Sequence, residues 1–498
     1  METRALVRKT EGGTPPGAIR HYEDLPGPRG LPFFGNSLQL DLPRVHLQFE
    51  QWSREFGPMY KLKVPGRRLL IISDHELIAG VLRDRPGGLS RTSKLEEIWT
   101  ELGLQPGVFG ANGEVWKRQR RMVMAGFDPA HVKRYYPAMV AVAKNLSARW
   151  HRAAEAGQAV DLQSDLMRYT VDTIAGLAFG SEVDTLGSDG DVIQHHLDQI
   201  FPAVFQRMLK PLPLWRWLPS AADRRLTQSV VEINRAVDAF VAEARQRLLA
   251  DPARRATPPN LLEAMIVAAD EPGSGIDDQQ VAGNVLTMLL AGEDTTANSL
   301  AWLFYLLRQH PAHLARAVAE VQRVVGDSAS PSMEQLAQLD FVEACAYEAM
   351  RLKPVAPLLP LQTRHEMVIG DVLVPEGINV SSVMRLDSLN DAHIPNAATF
   401  DPERWLAGGD APAAVAASVK RVAMPFGAGP RMCPGRYLAL LEIKLAVATA
   451  LRDFEILAVE TVDGAAPQER LQFTMAPEGL RMRLRVKSRA AAAAALGA

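Results

Sequence analysis

The stretch PFGAGPRMCPGR, Pro425 to Arg436, holds Cys433 in a loop of glycines and prolines between two arginines. The chain has two cysteines, so no disulfide framework explains its placement. Gly427 and Gly429 let the backbone bring N–H groups close to the sulfur. Pro434 and Gly435 then turn the chain into the apolar run RYLALLEIKLAVATAL. A sulfur at a helix N-terminus with amides aimed at it is favoured as thiolate. Such a thiolate can attack an electrophile or bind a metal. Nucleophilic catalysis would want a histidine brought in from elsewhere in the fold. Zinc would want more soft ligands close by, and the loop offers none. The second cysteine, Cys345, lies on an apolar helical stretch and reads as a buried thiol acting as a small hydrophobe.

A second constellation is AGEDTT, Ala291 to Thr296, inside an otherwise apolar run. Gly292 costs about 1 kcal/mol against alanine in a helix interior. Thr295 and Thr296 can turn their hydroxyls onto carbonyls four residues back and bend the helix. One reading is a polar face that reaches solvent. The other is a helix opened beside a reaction centre, with an acid and an alcohol to handle protons, because acids are seldom buried without a partner or a purpose.

EAMR, Glu348 to Arg351, sets opposite charges at i and i+3 on one helix face, and its apolar flanks point to burial. A buried pair needs further partners, which DPERW can supply through Arg404. In GEVWKRQRRMV, Trp116 and Arg120 share a face, whereas Lys117, Arg118 and Arg121 point elsewhere and read as a solvated basic surface. Trp116 and Arg120 can meet a half-buried anion. One thiolate in an apolar body with buried arginines fits haem iron better than zinc, since iron takes one axial cysteine and arginines balance the propionates.

The elements that must position these groups are mostly helical. Apolar periodicity predicts helices at Pro43–Phe56, Asp74–Arg83, Gly113–Gly126, Val132–Ala156, Leu162–Phe179, Leu226–Ala250 and Leu261–Ala269. The longest begins after Asp277, an N-cap with Gln280 as capping-box partner, and stops at Pro311. Strand signals are short: MYKLKVPGRRLLIISD hinged at Pro65–Gly66, VIGDVLVPEGINVSSVM with Gly377 as its turn, and a third pair in FTMAPEGLRMRLRV. The fold class is mainly α with small β-sheets (α+β). The chain is 47% hydrophobic with net charge −2, which gives no case for a nucleic-acid partner. DPARRATPPN reads as one exposed loop rather than a linker. Few cysteines point to a reducing compartment. The N-terminal residues 1–21 carry no apolar core for a signal peptide or span and read as a flexible lead. Residues 488–498 read as an alanine-rich tail.

These motifs, taken in order, resemble the cytochrome P-450 family. FGAGPRMCPG resembles its cysteine loop, AGEDTT the oxygen-activation motif of its long central helix, and EAMR its E-x-x-R pair, with Arg404 of PERW completing a triad. Trp116 and Arg120 resemble its propionate-binding pair. Together they cover most of residues 22–485. Two departures stand out. Trp405 occupies a position where the family usually has Phe. Where many members carry a further propionate-binding arginine, this chain has Leu361–Gln362, with Arg364 slightly displaced as a candidate.

The resemblance implies a single haem domain over residues 22–487, with haem b (iron protoporphyrin IX) between the long helix and the cysteine-loop helix. Cys433 would be the metal ligand. Trp116, Arg120, Arg431, Phe426, Gly427, Gly435 and Ala291 would contact the haem, and Glu348, Arg351 and Arg404 would be structural. It implies O2-dependent insertion of one oxygen atom into a hydrophobic substrate, by hydroxylation or epoxidation. Thr295 would hydrogen-bond dioxygen, Asp294 would relay protons, and Thr296 would stand beside them. The substrate pocket is expected along Leu95–Phe109, Ile200–Trp215, Met288, Ala291, Val355–Leu361 and Met475–Ala476. Within these, Phe201, Phe205, Leu358 and Leu359 are singled out, and a terpenoid, fatty acid or steroid would suit the lining. Electrons would come from a separate ferredoxin or flavodoxin with its reductase, steered by Lys117, Arg118 and Arg121. No flavin domain or membrane anchor is seen, so the form implied is a soluble, cytoplasmic, bacterial-type monomer. Rival readings are a haem-thiolate peroxygenase or isomerase, a non-catalytic haem sensor, and a haem-free cysteine hydrolase. The acid–alcohol pair speaks against the first two, and absence of a Soret band would favour the last.

Overall fold

The computed structural model describes residues 5–6, 19–180, 185–186, 192–210, 213–406 and 413–487. Nearly all of the expected N-terminal lead and the whole alanine-rich tail lie outside these residues. Amphipathic segments give helices α1 (Val45–Phe56), α2 (His75–Arg83), α3 (Ser93–Glu101), α4 (Gly113–Gly126), α5 (Pro129–Glu155), α6 (Leu162–Phe179), α7 (Val192–Leu209), α8 (Ala221–Ala250), α9 (Pro252–Ala256) and α10 (Leu261–Ala269). The long helix α11 (Asp278–Gln309) follows, then α12 (Pro311–Val324), α13 (Met333–Ala337), α14 (Asp340–Leu352), α15 (Ala413–Val422) and α16 (Arg436–Asp453). The stretch expected as one exposed loop at 251–260 contains the short α9, whose Arg254 meets Glu263.

Helix α11 starts as its sequence dictates. Asp277 accepts from the Gln280 amide at 2.8 Å, and the Gln280 side chain accepts from the Asp277 amide at 3.2 Å. Most of its length is buried, so the apolar surround rather than propensity holds it. Helix α6 lies along it. A Cβ on Gly292 would come within 2.5 Å of Ile174 Cγ1, so glycine is needed there for the two helices to touch. The expected opening at Ala291–Thr296 is absent: α11 is helical throughout. Thr295 does bond back to the Ala291 carbonyl at 2.7 Å. Helices α5, α6, α14 and α16 share the main apolar core with α11.

The strands are β1 (Ala5–Leu6), β2 (Arg20–His21), β3 (Met59–Val64), β4 (Arg67–Ile72), β5 (Leu89–Ser90), β6 (Val160–Asp161), β7 (Leu358–Thr363), β8 (Met367–Ile369), β9 (Val372–Val374), β10 (Asn379–Val383), β11 (Phe454–Glu460), β12 (Glu469–Leu471), β13 (Met475–Pro477) and β14 (Arg481–Val486). The largest sheet runs β3-β4-β10-β7-β5. The β3–β4 hairpin turns at Pro65–Gly66 as expected. The second expected pair is corrected: β8 pairs with β9 across Gly370–Asp371, and Gly377 is where the chain leaves that sheet for β10. The third is corrected too, since β13 pairs with β12 and β14 with β11. In the first case two glycine turns, at Gly370 and Gly377, were available, and tertiary packing chose between them.

Candidate active site

Four guanidinium groups gather near the cysteine loop without an anion. Arg91, carried by the loop after β5, donates to the Phe109 carbonyl at 3.0 Å and stacks on the Phe109 ring at 4.1 Å. Burial pushes it down to about 9, with Arg85 and Arg431 adding like-charge repulsion. Arg431 lies over the Trp116 ring at 4.6 Å and donates to the Ala111 carbonyl at 2.5 Å. Its Nε and Nη1 are buried with no partner, and burial lowers it to about 10. Arg120 donates to the Met432 carbonyl at 2.9 Å, and Arg85 to the Leu82 and Ala428 carbonyls at 3.3 and 3.4 Å. Among the described residues, the hydrogen bonds of all four end on neutral acceptors. Arg85 is buried and the other three are half-buried, and the orphaned Nε and Nη1 of Arg431 call for a partner that the described residues do not supply.

The cysteine loop faces this cluster. Gly429 sits at φ 71°, and a Cβ there would come within 2.5 Å of the Leu82 carbonyl oxygen, so the loop rests directly on the end of α2. The Cys433 amide donates to the Phe426 carbonyl at 3.0 Å. The residue is open to space rather than packed, unlike the fully buried Cys345. Burial by the surrounding protein raises the Cys433 thiol, against the pull of the Gly435 amide, Arg120 and Arg436. The Gly435 amide and the two arginines favour the thiolate, and a bound metal ion would favour it further. A dianionic, metal-centred group suits both features, the uncompensated arginines and the lone sulfur, so haem fits these residues.

Above the cluster is an apolar cavity of about 250 Å³. Its walls include Arg91, Leu95, Trp99 and Phe109, the α11 face Thr287–Ala291–Thr295, and Leu358–Pro360 of β7. Phe205 and Phe473 also line it. Phe205, Ala291, Thr295, Leu358 and Leu359 therefore share one cavity. Met288 and Met475 are not: both are buried in core packing, and Val355 contributes its carbonyl to the Met475 amide at 2.8 Å. The side chain of Phe201 lies outside the described residues.

Asp294 does not line this cavity. It faces a cleft of about 790 Å³ with a mixed lining, polar at Gln163, Asn298 and Thr474 and apolar at Met167, Val462 and Ala476. Thr296 is buried against α16, where its hydroxyl bonds the carboxyl of Glu442 and burial raises that acid to about 8.

Glu348 and Arg351 are fully buried and bidentate at 2.7 Å. Arg404 Nε donates to Glu348 at 3.3 Å. Arg351 also donates to the Ser388, Ala397 and Thr399 carbonyls. Trp405 uses its indole N–H on Glu348 at 2.9 Å, a bond that phenylalanine cannot make. On the basic face, Lys117 and Arg121 are exposed, Lys117 pairing with Glu114 at 2.6 Å, whereas Arg118 is half-buried with its Nε shielded. Arg364 is exposed and donates to the Pro86 carbonyl at 3.0 Å. Sequence reasoning missed Arg85, Arg91, Phe473 and Thr474. The two arginines bracket Pro86-Gly87-Gly88, a break too short to show periodicity. No helix among the described residues is long and apolar enough to cross a membrane.

Comparison with known proteins agrees with this geometry. The family model for cytochrome P450 matches residues 25–484. The chain is similar to a cyclooctat-9-en-7-ol 5-monooxygenase of Streptomyces melanosporofaciens, 29% identical over 90% of this chain and 92% of that protein. It is 27% identical to the chloroplastic protein LUTEIN DEFICIENT 5 of Arabidopsis thaliana, over 83% of this chain and 69% of that one. A self-sufficient cytochrome P450 monooxygenase of Penicillium expansum is 26% identical over 93% of this chain, which spans 43% of that protein. Plant, fungal and bacterial relatives together select no source for the chain.

Proposed function

The chain belongs to the cytochrome P450 family, whose cofactor is haem with an axial cysteine thiolate, and from that premise we propose that it oxygenates a small apolar substrate, with Cys433 as iron ligand. Haem supplies the dioxygen and one-electron chemistry that no side chain can. Arg91, Arg120 and Arg431 would hold its anionic edge, with the Trp116 ring packed against Arg431. The apolar cavity excludes water and orients the substrate beside Thr295, whose hydroxyl donates to the Ala291 carbonyl in this structure and would turn from it to donate into the cavity. Asp294, one residue earlier on α11, collects the protons that reduction of oxygen consumes. Thr296 serves instead to hold Glu442.

The observation that carries this reading is the cluster of buried and half-buried arginines with no counter-charge, set beside a lone cysteine and under an apolar cavity that ends on Thr295. The cavity is at the lower edge of the roughly 300–1,000 Å³ usual for ligand pockets. That favours a terpenoid-sized or flexible substrate over a rigid polycycle. A separate electron donor is proposed to dock on the side of Arg121. In the reduced protein, carbon monoxide should give the red-shifted absorption of a thiolate-ligated haem, lost in Cys433→Ser. Thr295→Ala should keep that band while product per NAD(P)H falls several-fold. A colourless preparation would end the reading, and full coupling in Thr295→Ala would remove the role given to that hydroxyl.

A further inference from the structure

The cavity and the cleft meet α11 on adjacent faces. Thr287, Ala291 and Thr295 repeat at i+4 and face the cavity, while Asp294 and Asn298, also i+4, face the cleft. Thr474 lines both spaces. Two hydrogen bonds meet at its hydroxyl, and a third holds the Asn298 amide that supplies one of them. Gln163 Nε2 donates to Asn298 Oδ1 at 3.1 Å, and Asn298 Nδ2 donates to Thr474 Oγ1 at 3.3 Å. Thr474 Oγ1 then donates to Asp294 Oδ2 at 3.4 Å. A hydroxyl has one hydrogen and two lone pairs. Asn298 occupies one lone pair, the hydrogen is turned to Asp294, and the second lone pair is left for a water in the cleft. The amides of Gln163 and Asn298 cannot pass a proton, but they fix which way the hydroxyl points.

We propose that Thr474 is a relay and positioning residue that delivers protons from water in this cleft to Asp294, so that solvent protons and apolar substrate enter by separate routes. The inference rests on the role proposed above for Asp294. In each transfer Thr474 Oγ1 takes a proton from cleft water as its own O–H bond breaks and that proton passes to Asp294 Oδ2. The hydroxyl is regenerated, no electrons move, and bulk buffer restores the water. The polar groups on one side of the cleft, Gln163, Asn298, Thr474 and Asp294, suit this, because water needs polar partners to enter.

The test uses the haem-loaded protein with its electron donor. Thr474→Val keeps the shape of the side chain and removes the hydroxyl. It should lower product per NAD(P)H by about tenfold and raise the solvent deuterium isotope effect, while Thr474→Ser restores both. Asp294→Asn serves as reference and should lower coupling as well. If Asp294→Asn uncouples and Thr474→Val changes neither readout, the inlet is overturned and the role of Asp294 stands. If Asp294→Asn leaves coupling intact, that role fails and the inference with it. A serine variant as impaired as the valine variant would mark a packing role and overturn the relay. Should Thr474→Val fail to hold haem, Asn298→Val gives the same readouts by releasing the orienting bond. Independently of turnover, a high-resolution crystal structure should hold an ordered water in the cleft within hydrogen-bond distance of Thr474 Oγ1; a dry cleft would overturn the proposal.

Discussion

Two groups of buried and half-buried arginines divide this molecule's charge chemistry between them. Around Glu348, Arg351 and Arg404 share a carboxylate, and the indole N–H of Trp405 and the Asp401 amide complete its acceptors. Around Cys433, four arginines find carbonyls and one another. The first group is closed: every charge is answered within the chain. The second is open, and its charges are answered only by something the chain binds. Burial of a cation therefore does not by itself separate scaffold from site; the presence or absence of a counter-charge does.

The comparison can be broken by removing an arginine from each group. Arg351→Ala strands the Glu348 carboxylate in a dry core. It should cost about 3–5 kcal/mol, read as loss of folded protein or a large drop in the urea midpoint. Arg91→Leu relieves crowding among like charges. It should leave the haem-free protein as stable as before or more so, while weakening haem retention by about 10–100-fold in transfer to apomyoglobin. Equal destabilisation of the haem-free protein by both changes would erase the distinction.

Glu442 sharpens it from the anionic side, as an acid buried with a threonine rather than a cation. Its native pKa of about 8 lies above the unfolded value, so its contribution is complete below about pH 4.5 and is lost as pH climbs through 8. Wild type should lose about 1.4 kcal/mol per pH unit relative to Glu442→Gln across pH 6–7.5, in paired urea unfolding curves. Parallel pH profiles would mean that the acid is charged in the native protein and has a partner.

What the sequence made legible follows the same division. The closed group was readable because all its members sit in short motifs, EAMR and PERW, and a buried pair requires a third partner. The N-cap of α11 was readable because the capping box is local. The open group was readable only where it touched the cysteine loop or the Trp116 helix. Arg85 and Arg91 escaped because the signal that identifies them, an unanswered charge, exists only once the fold brings them together. The strand pairings at Gly370 and β12–β13 were missed for a related reason: alternation names a strand but not its neighbour. Asp294 and Thr295 were adjacent in sequence and expected in one pocket. A helix turns each residue by 100°, so neighbours open onto different spaces.

The contact of Gly292 with Ile174 has a consequence for redesign. It locks the axis of α11 at the level of Ala291 and Thr295, so the ceiling over the substrate cannot retreat to admit larger compounds. Libraries aimed at bulkier substrates have their freedom on the opposite wall, along Leu358–Pro360 and Phe473, where a side chain can be exchanged without re-spacing two helices.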